Sequence, residues 1–309
     1  MAFQTGTASS FINLLDALRL FATANGWTQN LWADVGADKR LHLQKGGIYA
    51  NFLAEADDSD LWINGSLGFD AGAAWNAQPS VMPSSQGPRM STILQGAIAW
   101  PVTYWLFQHA APDSIEMVIR YQPTLHQWMM FGGITKYGTW AGGEYFAASV
   151  GGSWAGTKRA FRGQVESDAV PVLFHEQRTG GIGTHFGSNL HAEVDSLTWW
   201  SDSLMAGNIA QATAARYAWP LVNRSLSAFN GLTTLQPIEI YALRLDSHHS
   251  PLGRVEHVRY CNVLNHNAGD IIDIGGQKWM LFPWLEKGGS TDWQPTTLHA
   301  GMAIKYDGP

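Results

Sequence analysis

Ile115-Glu116-Met117-Val118-Ile119-Arg120-Tyr121 is the stretch whose reading decides the fold. Ile115, Met117, Ile119 and Tyr121 alternate with Glu116, Val118 and Arg120. That period of two turns one side of a strand toward a core and predicts a single buried face. Ala111-Pro112-Asp113 precedes the stretch and Gln122-Pro123-Thr124 follows it, both of turn composition. Strands are predicted on either side, over 102–108 and 127–135, and the three form an antiparallel meander. A further strand is predicted over 144–149.

Toward the N-terminus the period changes to that of a helix. Phe11, Leu14, Leu15, Leu18, Phe21 and Ala22 share one face, Ser10 is placed to cap the first turn, and Asn25-Gly26 is a stop signal. A hairpin follows, with strands over 40–44 and 48–53 around the turn Lys45-Gly46-Gly47, and a third strand over 61–64. The segment 65–87 reads as a long loop, anchored by Trp75 and Met82 on its own domain or on a neighbour. The last third returns to strands over 238–245, 254–262, 271–274, 278–282 and 301–306. Gly275-Gly276 makes a tight hairpin between two of them.

Residues 150–235 differ: glycine is dense, periodicity is weak, and the alanine-rich 204–217 is predicted as a helix. The fold class expected is α+β. It is mostly antiparallel sheet, sandwich-like, with an N-terminal helix packed on a sheet and a long irregular insertion. The expected division is 1–149 (helix plus antiparallel sheet), 150–235 (the glycine- and tryptophan-rich insertion) and 236–309 (strands completing the core).

Composition narrows the function classes. Fifteen tryptophans accompany only 14% charged residues, against about 25% in ordinary domains. Interface cores are poor in charge and rich in aromatics, so much of the surface is expected to be covered by other proteins. Trp75, Trp154, Trp199, Trp200 and Trp219 are the expected subunit-interface residues. A net charge of -6 argues against a basic nucleic-acid-binding face. No run of eighteen apolar residues predicts a membrane span, and the N-terminus shows no basic-then-apolar export signal. The lone Cys261 excludes an internal disulfide and reads as a buried strand residue.

Catalytic signatures are sparse. Gly180-Gly181-Ile182-Gly183-Thr184-His185-Phe186-Gly187 departs from a phosphate-binding loop in its glycine spacing. His175, Glu176, His185, His191 and Asp195 share one window without a metal-ligand spacing, and His248-His249 reads as a solvated turn. Glu144, Glu166 and Asp168 are the carboxylates that a glycoside hydrolase would need, with Trp140, Trp154, Trp199 and Trp200 as sugar platforms. Read as a whole, the chain is expected to be no enzyme, with no catalytic, cofactor-binding or metal-binding residues and no cofactor.

The run from Met130 to Tyr145 resembles a segment of tailed-bacteriophage virion structural proteins. In these a strand ending F-G-x-[IL]-x-K enters a G-x-W-x-G-G-x-[YF] turn, here Phe131 to Lys136 and Gly138 to Tyr145. Gly275 to Trp284, Gly301 to Asp307 and the opening helix with Asn25-Gly26-Trp27 are similar to the same proteins. The resemblance implies a ring-forming virion subunit that contacts copies of itself and other virion proteins, assembled in the host cytoplasm. It implies a place at the head–tail junction, in the neck, the collar or a tail-completion ring. The alternatives are a baseplate or tail-tip subunit and, from another class, a carbohydrate-binding tail or surface protein.

Overall fold

The computed structural model describes residues 1–83, 87–92, 98–149, 173–174, 187–201, 210–213, 233–244, 248–284 and 300–308. The chain begins with β1 (Ala2–Ala8), α1 (Phe11–Ala24), β2 (Thr28–Val35), β3 (Asp38–Lys45), β4 (Ile48–Ala54), β5 (Asp60–Ser66) and β6 (Arg89–Ser91). It continues with β7 (Val102–His109), β8 (Ser114–Arg120), β9 (His126–Gly133), β10 (Thr135–Lys136), β11 (Gly142–Ala148), β12 (Ser188–Val194), β13 (Leu197–Ser201) and β14 (Ala210–Thr213). The last strands are β15 (Gln236–Leu243), β16 (His249–Asn262), β17 (Ile271–Ile274), β18 (Gln277–Pro283) and β19 (Ala300–Lys305).

These strands form a 14-stranded sheet and a five-stranded sheet. The small sheet runs β2-β3-β4-β5-β6 and is antiparallel throughout. The large one runs β1-β7-β8-β9-β11-β12-β13-β14-β15-β16-β19-β18-β17, with β10 beside β16. Only the β13–β14 pair is parallel among the pairs described. The architecture is the expected one, mostly antiparallel β with a helix packed on sheet.

α1 forms where the sequence places it. The Ser10 side chain accepts a hydrogen bond from the Asn13 N–H, satisfying one of the donors that every helix start leaves open. Beyond the helix Gly26 takes φ +83°, the left-handed region that ends helices. Phe11, Leu14, Leu15 and Leu18 are fully covered. They pack in one core with Leu41, Leu43, Phe52 and Ile63 of the small sheet and Leu106, Ile115, Met117 and Phe131 of the large one. The two sheets approach closely at Gly65, where a Cβ would lie 2.1 Å from the Phe146 ring.

The other face of the meander is buried too, which corrects the expectation of a single buried face. Glu116 and Val118 are both 0% exposed. The large sheet folds back, so that Phe107, Val118, Trp128 and Met130 meet Val258, Tyr260, Phe282 and Ile304 in a second core. Facing aromatic pairs cross this layer, with Trp105–Phe282 at 5.1 Å and Trp128–Trp284 at 5.2 Å between ring centroids. The alternation in β8 therefore separates two cores, one where its own side chains are all apolar and one to which it contributes a carboxylate.

The described parts of 150–235 correct two further expectations. β12, β13 and β14 lie in the middle of the large sheet, so those parts are neither irregular nor peripheral. The β12–β13 turn uses Asp195 and Ser196 at φ +55° and +61°, a left-handed pair without the glycine that would have announced it. Of the expected helix over 204–217, residues 210–213 are strand β14, because sheet pairing to β13 and β15 overrides the helix propensity of alanine. The remainder of that helix lies outside the described residues.

Candidate functional site

Two surface constellations carry chemistry. The first is an open groove of about 410 Å³ lined by Ser10, Ile12, Asn13, Asp16, Arg19, Trp32 and Lys39. Its position follows from the local fold. The polar side of α1 supplies Asn13, Asp16 and Arg19, and the β2–β3 hairpin supplies Trp32 and Lys39. The Arg19 guanidinium carbon lies 5.2 Å and the Lys39 Nζ 5.1 Å from the Trp32 ring centroid, both in cation–π range. Arg19 is oriented by Asp16 at 2.7 Å and by Gln29 at 3.0 Å, and Lys39 by Asp34. Leu20, 53% exposed, and Val35, 44% exposed, lie on the same two elements. The groove thus combines a half-buried indole, a fixed guanidinium and the Ile12 side chain.

The second is a carboxylate–imidazole–carboxylate row. His191 Nδ1 lies 2.6 Å from Glu144 and Nε2 lies 3.3 Å from Glu193. β11 presents Glu144 and β12 presents the other two. Burial lowers the affinity of His191 for a proton, but the hydrogen bonds and charges of both carboxylates outweigh it, and its pKa is raised. A protonated ring donates to both carboxylates, so the row cross-links β11 to β12. His191 also packs 5.4 Å from the Trp199 ring. Among the described residues no three His, Cys, Asp or Glu side chains are arranged to hold a metal ion.

The structure brings Glu144 and His191 together, two residues that the sequence placed in separate groups. Asp195 instead pairs with Arg244. Glu166, Asp168, His175, Glu176 and His185 lie outside the described residues, as do Trp154 and Trp219. His248 and His249 are exposed, at the entrance to β16.

Trp199 and Trp200 are 8% and 1% exposed, covered by the chain's own residues. They point to opposite faces of β13. Trp199 enters the helix-side core and donates its indole N–H to the Ser80 carbonyl at 3.1 Å. Trp200 enters the sandwich core and donates to the Ala192 carbonyl at 2.9 Å. Trp75 is half-buried 6.0 Å from Trp62, and Met82 is buried in the helix-side core, so the long loop is anchored on its own chain. Trp27, Trp128, Trp279 and Trp284 are buried as well. Much of the tryptophan content is accordingly consumed by the cores. Trp140 is half-buried under Lys136, 5.1 Å from its ring centroid. Cys261 is fully buried, and burial pushes its thiol pKa far up, which makes it inert.

Sequence reasoning passed over Trp32, because the strand that carries it was not predicted. The signal was the turn at Gly36, at φ +65°, followed by the already predicted strand that begins at Arg40. No family model and no curated protein matches the chain.

Proposed function

We propose that the chain is a structural, non-catalytic component of a tailed-phage virion. In this reading it is a ring-forming subunit that joins other virion proteins at the head–tail junction. The observation that supports an assembly role is the Trp32 groove. Binding energy at protein interfaces concentrates on Trp and Arg side chains held in place and ringed by neighbours that exclude water. Trp32 with Arg19, ringed by Ile12, Asn13, Asp16 and Lys39, has that composition. Heterologous ring contacts need one such patch to meet a different patch on the next copy. The resemblance of residues 130–145 to virion proteins supports a phage particle, and the neck or collar is the place preferred over the baseplate or tail tip.

The experiment is imaging of purified particles with an antibody raised against the chain. Label at the junction between head and tail supports the reading. Label at the distal end moves the subunit to the baseplate, and particles free of the chain overturn the proposal. The same groove supports a second reading, carbohydrate binding, because an indole beside Asn13 and Asp16 in an open groove has the make-up of a sugar platform. Glycan binding that is lost in Trp32→Ala, with the chain monomeric, would favour it.

A further inference from the structure

The sandwich core contains a polar cluster that neither assembly nor sugar binding uses. His109 of β7, Glu116 of β8 and His257 of β16 are 2%, 0% and 5% exposed. His109 Nδ1 lies 2.9 Å from Glu116 Oε2, and its Nε2 lies 3.0 Å from the Lys305 carbonyl of β19. Both nitrogens of this ring face oxygens, the Glu116 carboxylate of β8 and the Lys305 carbonyl of β19, so the ring ties three strands together. The His257 ring stacks on His109 at 4.3 Å between centroids and 12° between planes. Its Nε2–H donates to the Pro112 carbonyl at 3.2 Å, in the turn between β7 and β8. Nδ1 of His257 is buried with no hydrogen-bond partner among the described residues, and so are Glu116 Oε1 and the Tyr145 hydroxyl of β11.

We propose that this cluster is a proton-operated latch between the two halves of the large sheet, with His257 as its gate. Neutral His257 has one N–H and one acceptor for it, and its ring lies flat on His109, holding β16 against the β7–β8 turn. A second proton would go to Nδ1. That creates a buried N–H without an acceptor among the described residues and sets a cation parallel to the His109 ring 4.3 Å away. From across the layer Glu116 favours the extra proton, and it is already engaged with His109. Glu256, beside His257 in sequence, bonds to Arg254 and Thr135, and its charge also favours the extra proton. Burial, the leading cause, lowers the His257 pKa, and with His109 it outweighs the opposing pull of Glu116, the Pro112 carbonyl and Glu256. The folded chain therefore resists a proton that the unfolded chain accepts. The latch is closed above the ordinary imidazole value of about 6.5 and is strained open as the pH falls below it.

The test compares the full chain with His257→Gln, whose amide N–H₂ can replace the donor to Pro112 but cannot take a proton. Denaturant unfolding is followed between about pH 7.5 and 5. The unfolding constant of the wild type is expected to rise more steeply on acidification than that of the variant. The difference approaches about tenfold per pH unit, the limit for one proton taken up on unfolding. Deuterium exchange in β7, β8, β16 and β19 should accelerate in the wild type and not in the variant. Parallel pH profiles would overturn the latch. If the variant does not fold, imidazole nitrogen resonances of the wild type decide. His257 staying protonated only at Nε2 below about pH 6.5 supports the gate, and ordinary titration there excludes it.

Discussion

The two faces of β8 make different kinds of core. On one side Ile115, Met117 and Ile119 meet the apolar groups of α1 and the small sheet, and the buried Gln127 opposite Ile119 is satisfied by the Ser91 backbone. On the other, Val118 lies among apolar groups while Glu116 joins His109. The first core is assembled largely from the chain's opening strands and helix. The second depends on strands from the end of the chain, since His109 bonds to a carbonyl 196 positions away. The difference teaches that alternation marks where a strand is apolar and is silent about a second layer that supplies partners for a charge.

The largest effect should come from the apolar side. Leu18→Asp puts a charge into a fully buried position among apolar side chains, at a cost of several kcal/mol, and soluble expression should be lost. Wild-type melting of that variant would mean that α1 is not part of the core. In the sandwich core Trp200→Ala should cost about 3–5 kcal/mol in chemical unfolding, because it leaves an indole-sized cavity and frees the Ala192 carbonyl. A loss below about 1 kcal/mol would place Trp200 at a surface that only a partner covers.

Acid sharpens the comparison. His42 in the small sheet is buried beside Asn51, at 2.7 Å, and burial lowers its pKa to about 4. A histidine with a depressed folded pKa contributes stability that is complete above its unfolded value of about 6.5 and fades as the pH falls toward the folded value. Roughly 2–3 kcal/mol should disappear over that window, and His42→Asn should flatten the profile by about that amount. His191 acts in the opposite sense. Its raised pKa gives a contribution present in acid and lost as the pH climbs past the folded value. At the small end, Ser10→Ala should cost about 1 kcal/mol in thermal or chemical unfolding by uncapping α1. An unchanged midpoint would show that the Phe11 N–H bond to Asp58 alone holds the helix start.

How much of this was legible follows from the physical range of each signal. α1, the β3–β4 hairpin, the meander and the Gly275-Gly276 turn depend on residues close in sequence, and all of them could be read there. β1 was missed because Ala2–Ala8 has little hydrophobic pattern and is ordered by pairing with β7. β12 and β13 were missed because their turn uses Asp195 and Ser196 without glycine. Of the sites, Glu144 and His191 were both noticed, but their pairing requires β11 and β12 to be neighbours across a segment of weak pattern. Glu116 read as solvent-facing because a charge in a strand normally is. Trp199 and Trp200 read as interface residues because a glycine-rich segment of weak periodicity offers no core to bury its four indoles. A strand between two cores buries one on each side.

The central claim is that the Trp32 groove is an assembly surface, and the mass of the full chain in solution tests it most directly. Sedimentation over a range of concentrations should show a closed oligomer of several copies. Trp32→Ala should dissociate it while changing the unfolding midpoint little, since that side chain is only half-buried in the single chain. A wild-type chain that stays monomeric at every concentration, or an oligomer indifferent to Trp32→Ala, would contradict the account.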